Sequence, residues 1–256
     1  MSQVILERPS AQIAHIRLNR PKARNALTLD IRKSLAAIFN ELAVDEELRC
    51  AVLSGEGGNF SGGADLSDMV QLGAIEIYQR HTERLWAAVS DCPVPVIAAV
   101  EGYALGGGME LAMHADIIVT DPAARMGQPE VRVGIMPGAG GTQRLLRAVG
   151  RYRAMLLCLT GDQITGAQAA NMGLASKLVD EGAVLDEAHA LAEKIARMPP
   201  LAVAQIKEVI HAGADAPLSS ALALERKAFQ ILFASEDKTE GMNAFLEKRR
   251  PDYSGR

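Results

Sequence analysis

A chain of 256 residues, 48% hydrophobic and 23% charged, has room for one large domain or a domain with a small appendage around a sizeable core. Its net charge of −4, from 27 basic and 31 acidic side chains, argues against a general nucleic-acid or anionic-membrane binder. With no apolar run of membrane-spanning length and no signal-peptide layout in MSQVILERPS, a cytoplasmic protein is expected.

Residues 4–7 and Ile13–Leu18 read as two short strands around a turn at residues 9–12. The loop RPKARNAL follows, and Thr28 is placed to cap a helix in which Ile31, Leu35, Ile38 and Leu42 recur on one face. Residues 50–54 form the next strand. The segment GEGGNFSGGADL, residues 55–66, is rich enough in glycine to be either a flexible connector or a source of backbone donors. Residues 67–90 read as helical with an interruption near Gly73, ended by Pro93 and Pro95. Val96–Val100 is β-branched and short, as a buried strand requires. The chain breaks at Gly102, and the triplet Gly106, Gly107, Gly108 opens directly into a helix, MELAMHA. A strand is expected at 116–120 and a helix after the glycine-rich turn at 138–141. From residue 151 strand signals fade, and helices are predicted at 153–159, 167–172, 185–198, 201–212, 219–233 and 236–249. Strands and helices thus alternate to about Val179, predicting a mixed α/β core, residues 1–195, and a C-terminal helical region, residues 196–256.

The chemistry concentrates where glycines start the helix after Val100. A helix start carries unpaired N–H groups and partial positive charge, and glycine lets a substrate oxygen approach them. Glu110 lies one turn in, among Met109, Leu111, Ala112 and Met113, an expensive place for a carboxylate unless it is paired or used. Glu130 follows in GQPE. Backbone donors with two carboxylates point to chemistry on a carbonyl compound. Other devices are missing from the sequence: there is no G-x-G-x-x-G after a strand, no Gly-Lys-Ser/Thr and no G-x-S-x-G. Cys50, Cys92 and Cys158 are isolated and odd in number, as free thiols in a reducing compartment would be. The five histidines form no ligand cluster, so no metal site is expected. Oxyanion stabilisation is the best remaining use of the glycine-rich loops.

Taken together, FSGGADL, IAAVEGYALGGGMELAMHADIIV and GQPEVRVGIMPGAGGTQRL resemble the enoyl-CoA hydratase (crotonase) family, and the likeness extends from RPKARNAL to EGMNAFLEKRRPDYSGR. The closing segment is similar to that of bacterial phenylacetate-pathway hydratases acting on 2,3-dehydroadipyl-CoA. The resemblance implies a crotonase-type spiral of ββα units whose C-terminal helices build trimers, commonly paired into hexamers. It implies that Gly62 and Gly107 supply two N–H groups to the thioester oxygen. By the same resemblance Glu110 is the base toward water and Glu130 the acid toward Cα. Ala64, Asp65 and Leu66 match the loop beside the adenine; Ala23, Arg24 and Ala26 match the segment along the CoA chain. Glu101 and Met109 stand where relatives frequently carry asparagine and cysteine.

The implied reaction is syn addition of water across the 2,3 double bond of a 2-enoyl-CoA, giving a 3-hydroxyacyl-CoA. It needs no cofactor, since coenzyme A belongs to the substrate. An isomerase of the same family would need one carboxylate and no water, and the presence of both glutamates favours hydration. A member of the fold that binds RNA is the rival from another class, and the acidic balance speaks against it.

Overall fold

The computed structural model describes residues 2–256. β1 (Val4–Ser10) and β2 (Ile13–Leu18) make the expected hairpin. α1 (Leu29–Leu42) begins at Thr28, whose hydroxyl accepts a bond from Ile31 N–H at 3.2 Å. Ile31, Leu35 and Leu42 are buried and Ile38 is half-buried; Phe39 and, less expectedly, Arg32 share that buried face. β3 (Cys50–Gly55) precedes a helical region broken twice. α2 (Ala74–Gln79) starts after Gly73, and α3 (Thr82–Ser90) starts after His81, which sits at φ 45°. Then come β4 (Val96–Val100), β5 (Tyr103–Leu105), α4 (Gly107–Ala112), β6 (Ile117–Thr120) and β7 (Arg125–Gly127). They are followed by α5 (Gly141–Val149), α6 (Arg151–Thr160), β8 (Gln163–Thr165), α7 (Gly166–Met172) and β9 (Lys177–Leu178). The chain closes with α8 (Val184–Ala196), α9 (Pro200–Gly213), α10 (Leu218–Leu232) and α11 (Glu236–Leu246).

Two sheets share the strands. The larger runs β1-β2-β3-β4-β6-β9, parallel from β2 onwards; the smaller runs β5-β7-β8. Successive strands divide between them: β4 and β6 enter the large sheet, while β5 and β7 enter the small one. The strand-strand-helix repeat expected from the resemblance is therefore built by chain that returns to each layer in turn. Single bridges, Leu27 to Ala64 and Ser61 to Ala104, attach the two predicted loops to the edge of the small sheet.

The large sheet is covered on both faces, which explains its continuous apolar strands. Alternation sends Ala51, Leu53, Val96, Ala98 and Val100 into the main core with α1, α3 and α5. Cys50, Val52, Ile97, Ala99 and Val119 point the other way, against Val184, Ala188 and Ala192 of α8. α9 is tied to the sheet by Lys207, whose Nζ lies 2.7 Å from Asp116 Oδ2. The same Asp116 oxygen accepts from Val96 N–H at 2.8 Å.

Candidate active site

The site forms where the 20–27 loop, the glycine-rich 55–66 loop and the glycine triplet before α4 meet. Asn25 is the knot: it is fully buried, its Nδ2 donates to Glu56 O at 2.9 Å and Asn59 O at 2.6 Å, and its Oδ1 accepts from Arg20 N–H at 2.8 Å. Arg24 and Asn25 both adopt left-handed backbone, φ 49° and 54°, which turns the 20–27 loop back onto the 55–66 loop. Ser61 Oγ then bonds Asn25 O at 2.9 Å, and Leu27 N–H bonds Gly63 O at 2.7 Å. Gly108 packs against this loop so closely that a Cβ there would stand 2.3 Å from Ser61 O. Glycine in the triplet thus serves close approach of backbone to backbone.

This packing corrects one expectation. Gly62 N–H does not face a substrate; it donates to Arg24 O at 2.7 Å. The amide that turns toward Gly107 is that of Ala64, whose nitrogen lies 3.4 Å from where a Cβ on Gly107 would be. Among the described residues Ala64 N–H has no acceptor, and Gly107, the first residue of α4, has no intrahelical one. The register of the bridge between Leu27 and Ala64 decides which amide is free, and the sequence does not display that register.

Glu110 sits on α4, 3% exposed. Its Oε1 accepts from Ala139 N–H at 2.7 Å and Gly141 N–H at 2.8 Å, both at the start of α5. Burial raises its pKa; those amides and the Arg32 guanidinium oppose the rise. Glu130 stands on the turn Pro129–Val133, over Gly106 at φ 50°, where a Cβ would come within 3.0 Å of its Oε1. Burial, reinforced by the Glu110 charge, pushes its pKa up to about 7. The buried Gln128 amide, oriented so that its nitrogen donates, reaches Glu130 Oε1 and Oε2 at 3.0 and 3.1 Å.

Ala64, Gly107, Glu110 and Glu130 line one cavity of about 140 Å³ with Met69, Ile77, Trp86 and Met136. Arg32, Arg80 and Thr82 also line it. Two carboxylates of raised pKa beside two free amides can hold an oxyanion while protons move, which is what enolate chemistry requires. Of the other predicted residues, Asp65 pairs with Arg20 and accepts from Ser67, which together hold its carboxyl below the usual range. Leu66 is exposed; Arg24 lies over the Tyr103 ring, 4.8 Å from its centroid. Ala23 and Ala26 are half-buried on the same loop.

Asn25, Gln128 and Arg32 were not singled out by sequence reasoning. Arg32 did leave a signal, because an arginine beside Ile31 and one turn before Ala36 lies inside the apolar stripe of α1.

The enoyl-CoA hydratase/isomerase family description matches residues 8–256. The chain belongs to that family. Among relatives of this hydratase/isomerase, the 2,3-dehydroadipyl-CoA hydratase of Escherichia coli K12 is 41% identical over 256 residues, 100% of both chains. The mitochondrial enoyl-CoA hydratase of Pongo abelii is 42% identical over 241 residues, covering 93% of this chain and 82% of its own. The solved enoyl-CoA hydratase of Bacillus anthracis superposes with a TM-score of 0.95 at 34% identity over 100% of each chain. That of Mycobacterium tuberculosis H37Rv gives 0.91 at 38%, over 99% of each. The fold is accordingly the crotonase type. No helix among the described residues is long and apolar enough to cross a membrane.

Proposed function

We propose that this chain adds water syn across the 2,3 double bond of a 2-enoyl-CoA thioester, releasing a 3-hydroxyacyl-CoA. The observation that carries the reading is the convergence of a buried and a half-buried carboxylate with two unpaired amides on one cavity, in a chain of this family. Ala64 N–H and Gly107 N–H take the thioester oxygen, and the start of α4 adds its dipole as charge flows onto that oxygen. Removing one such donor typically costs about 100- to 1000-fold in rate.

Glu110, its Oε1 occupied by two amides, works as the carboxylate that draws a proton from the attacking water. Glu130 is the acid toward Cα. A pKa near 7 keeps a useful fraction of it protonated at neutral pH, which an ordinary glutamate would not be. The substrate carries coenzyme A, and Ala23, Arg24, Ala26, Ala64, Asp65 and Leu66 form the rim along which it runs. No further cofactor enters this scheme. Beyond residue 195 we assign α9–α11 to oligomerisation, as a trimer or a pair of trimers.

The deciding experiment supplies crotonyl-CoA in ¹⁸O-labelled water and analyses the product by mass spectrometry. Label in the new hydroxyl, lost on Glu110→Gln or Glu130→Gln, is the expected result. Conversion of a 3-enoyl-CoA to its 2-enoyl isomer without any hydration would replace this reading with isomerisation.

A further inference from the structure

The cavity that exposes the carboxylates also holds a cation to which the hydration scheme gives no task. Arg32 on α1 is 9% exposed, and its Nε is buried without a partner. Two anchors hold the guanidinium. Its Nη2 donates to Leu27 O at 3.2 Å, and Leu27 is the residue whose bridge to Ala64 leaves the oxyanion amide open. Its Cζ lies over Trp86 of α3, 5.7 Å from the ring centroid. Trp86 in turn stacks on His114, with ring centroids 5.5 Å apart. His114 follows α4 directly, its Nδ1 2.8 Å from Glu110 O. Side chains from three elements thus fix Arg32 at the wall of the cavity that Glu110 also lines.

Arg32 faces the charges of Glu110 and Asp68, with Arg80 opposing them. Asp68 is half-buried, and its Oδ2 already accepts from Leu29 N–H at 2.8 Å. Glu110 is the carboxylate with more to gain, because it is 3% exposed and burial works against its charge. The other groups around it supply no positive charge. Glu130 is a second acid, and burial keeps the Cys158 thiol of α6 neutral by raising its pKa. Burial also lowers the His114 pKa to about 4, so that ring is neutral near pH 7. What opposes the burial of Glu110 is therefore the amides at the start of α5 and the Arg32 guanidinium. A fixed charge in a dry wall acts beyond contact distance, because little water screens it.

We propose that Arg32 is a positioning residue for hydration: anchored by Leu27 and Trp86, its charge keeps Glu110 ionised in the pH range where Glu130 still holds its proton. Without that charge Glu110 would keep its own proton closer to neutrality, and the range in which base and acid are both ready would narrow from the acid side. The inference deepens the hydratase reading and rests on it for the effect on turnover, whereas the coupling of Arg32 to Glu110 stands on the packing of the cavity wall.

The test is the pH profile of kcat/KM for crotonyl-CoA in wild type, Arg32→Met, Arg32→Gln and Arg32→Lys. Loss of a neighbouring opposite charge raises a carboxylate's pKa by about one or more, so the acid limb should move up by about one pH unit in both neutral variants. The rate then falls about tenfold on the acid side and less toward pH 7. Arg32→Lys, which keeps a charge at the site, should keep most of the wild-type limb. An acid limb that stays in place overturns the proposal, as does a loss equal at every pH, which packing alone would give. Arg32→Gln retains a donor for Leu27 O and decides the matter should Arg32→Met fail to fold. Carbon-13 NMR of protein labelled at its glutamate carboxyls, with the Glu110 signal assigned through Glu110→Gln, needs no turnover. A higher Glu110 titration in the neutral variants supports the coupling even where hydration is absent; an unchanged titration rejects it whatever the enzyme does.

Discussion

At the scale of single residues, the two glutamates differ by environment. Glu110 is deeply buried and compensated by the amides of Ala139 and Gly141, whereas Glu130 is half-buried with its main donor the Gln128 amide. Hydration requires Glu110 ionised and Glu130 protonated. The rate should therefore fall as pH rises through about 7, the value to which Glu130 is pushed, and fall again on acidification, above the ordinary carboxylate range because burial raises Glu110. A pH–rate profile of kcat/KM reads both limbs. Glu110→Gln and Glu130→Gln should each lose about 100- to 10,000-fold in kcat with substrate binding retained; near-normal turnover in either folded variant removes that residue from the mechanism. The same carboxyl bears on stability. Because the folded state holds Glu130's proton up to about 7 against a usual 4.5, its contribution is favourable at low pH and is lost as pH rises through that window. Urea denaturation should then show Glu130→Gln matching wild type near pH 4.5 and exceeding it at pH 8, by up to about 3 kcal/mol. A difference that stays constant with pH would contradict the assigned shift.

At the scale of elements, the site depends on how closely α4 approaches the 55–66 loop. A methyl at position 108 would lie 2.3 Å from Ser61 O and 2.8 Å from Ser61 Cβ, neither of which can swing away as a flexible side chain could. Gly108→Ala should separate the Ala64 and Gly107 amides and reduce kcat by about 100-fold or more, as loss of an oxyanion donor does. Unchanged kinetics would show that the loop can yield. Asn25 supports the same junction through three partly buried hydrogen bonds. Asn25→Ala leaves these partly buried partners unsatisfied, an expected loss of about 1–3 kcal/mol in chemical denaturation. At the far end of the chain, the basic segment Lys248–Arg250 is partly committed within its own subunit. Arg249 forks onto Glu240 at 2.6 and 2.8 Å and also bonds Glu247.

For the whole molecule, the apolar surface of the C-terminal helices sets the expectation. Leu222 is 51% exposed, Phe229 60%, Phe245 83% and Leu246 77%, apolar exposure of the kind that a contact between subunits would cover. Leu232 does not belong to this face: it is half-buried and lines a cavity with Pro199, Leu201 and Tyr253, while Ile231 is exposed. Light scattering at micromolar concentration should give a trimer or hexamer, and Phe229→Asp with Phe245→Asp should lower the mass. A stable monomer of the unmodified chain would end the assignment of α9–α11 to assembly.

The long elements were legible in the sequence because burial leaves a period. The α1 stripe carries it at helical spacing, Val96–Val100 shows instead the unbroken apolar run of a strand covered on both faces, and the glycine triplet with Glu110 and Glu130 marked the chemistry. The strands of the small sheet span three residues each, too few to show alternation, and they pair across long separations in sequence. Tertiary structure alone decided which amide is free. Gly62 and Ala64 are two residues apart, and only the register of Leu27 against Ala64 commits the Gly62 N–H to Arg24 and leaves the Ala64 N–H open. It also decided that Arg32 and Arg80, far apart in the chain, share a cavity with the two carboxylates. A sequence records which side chains exist and how often they recur. Which donors and charges remain unpaired depends on every other contact being made first.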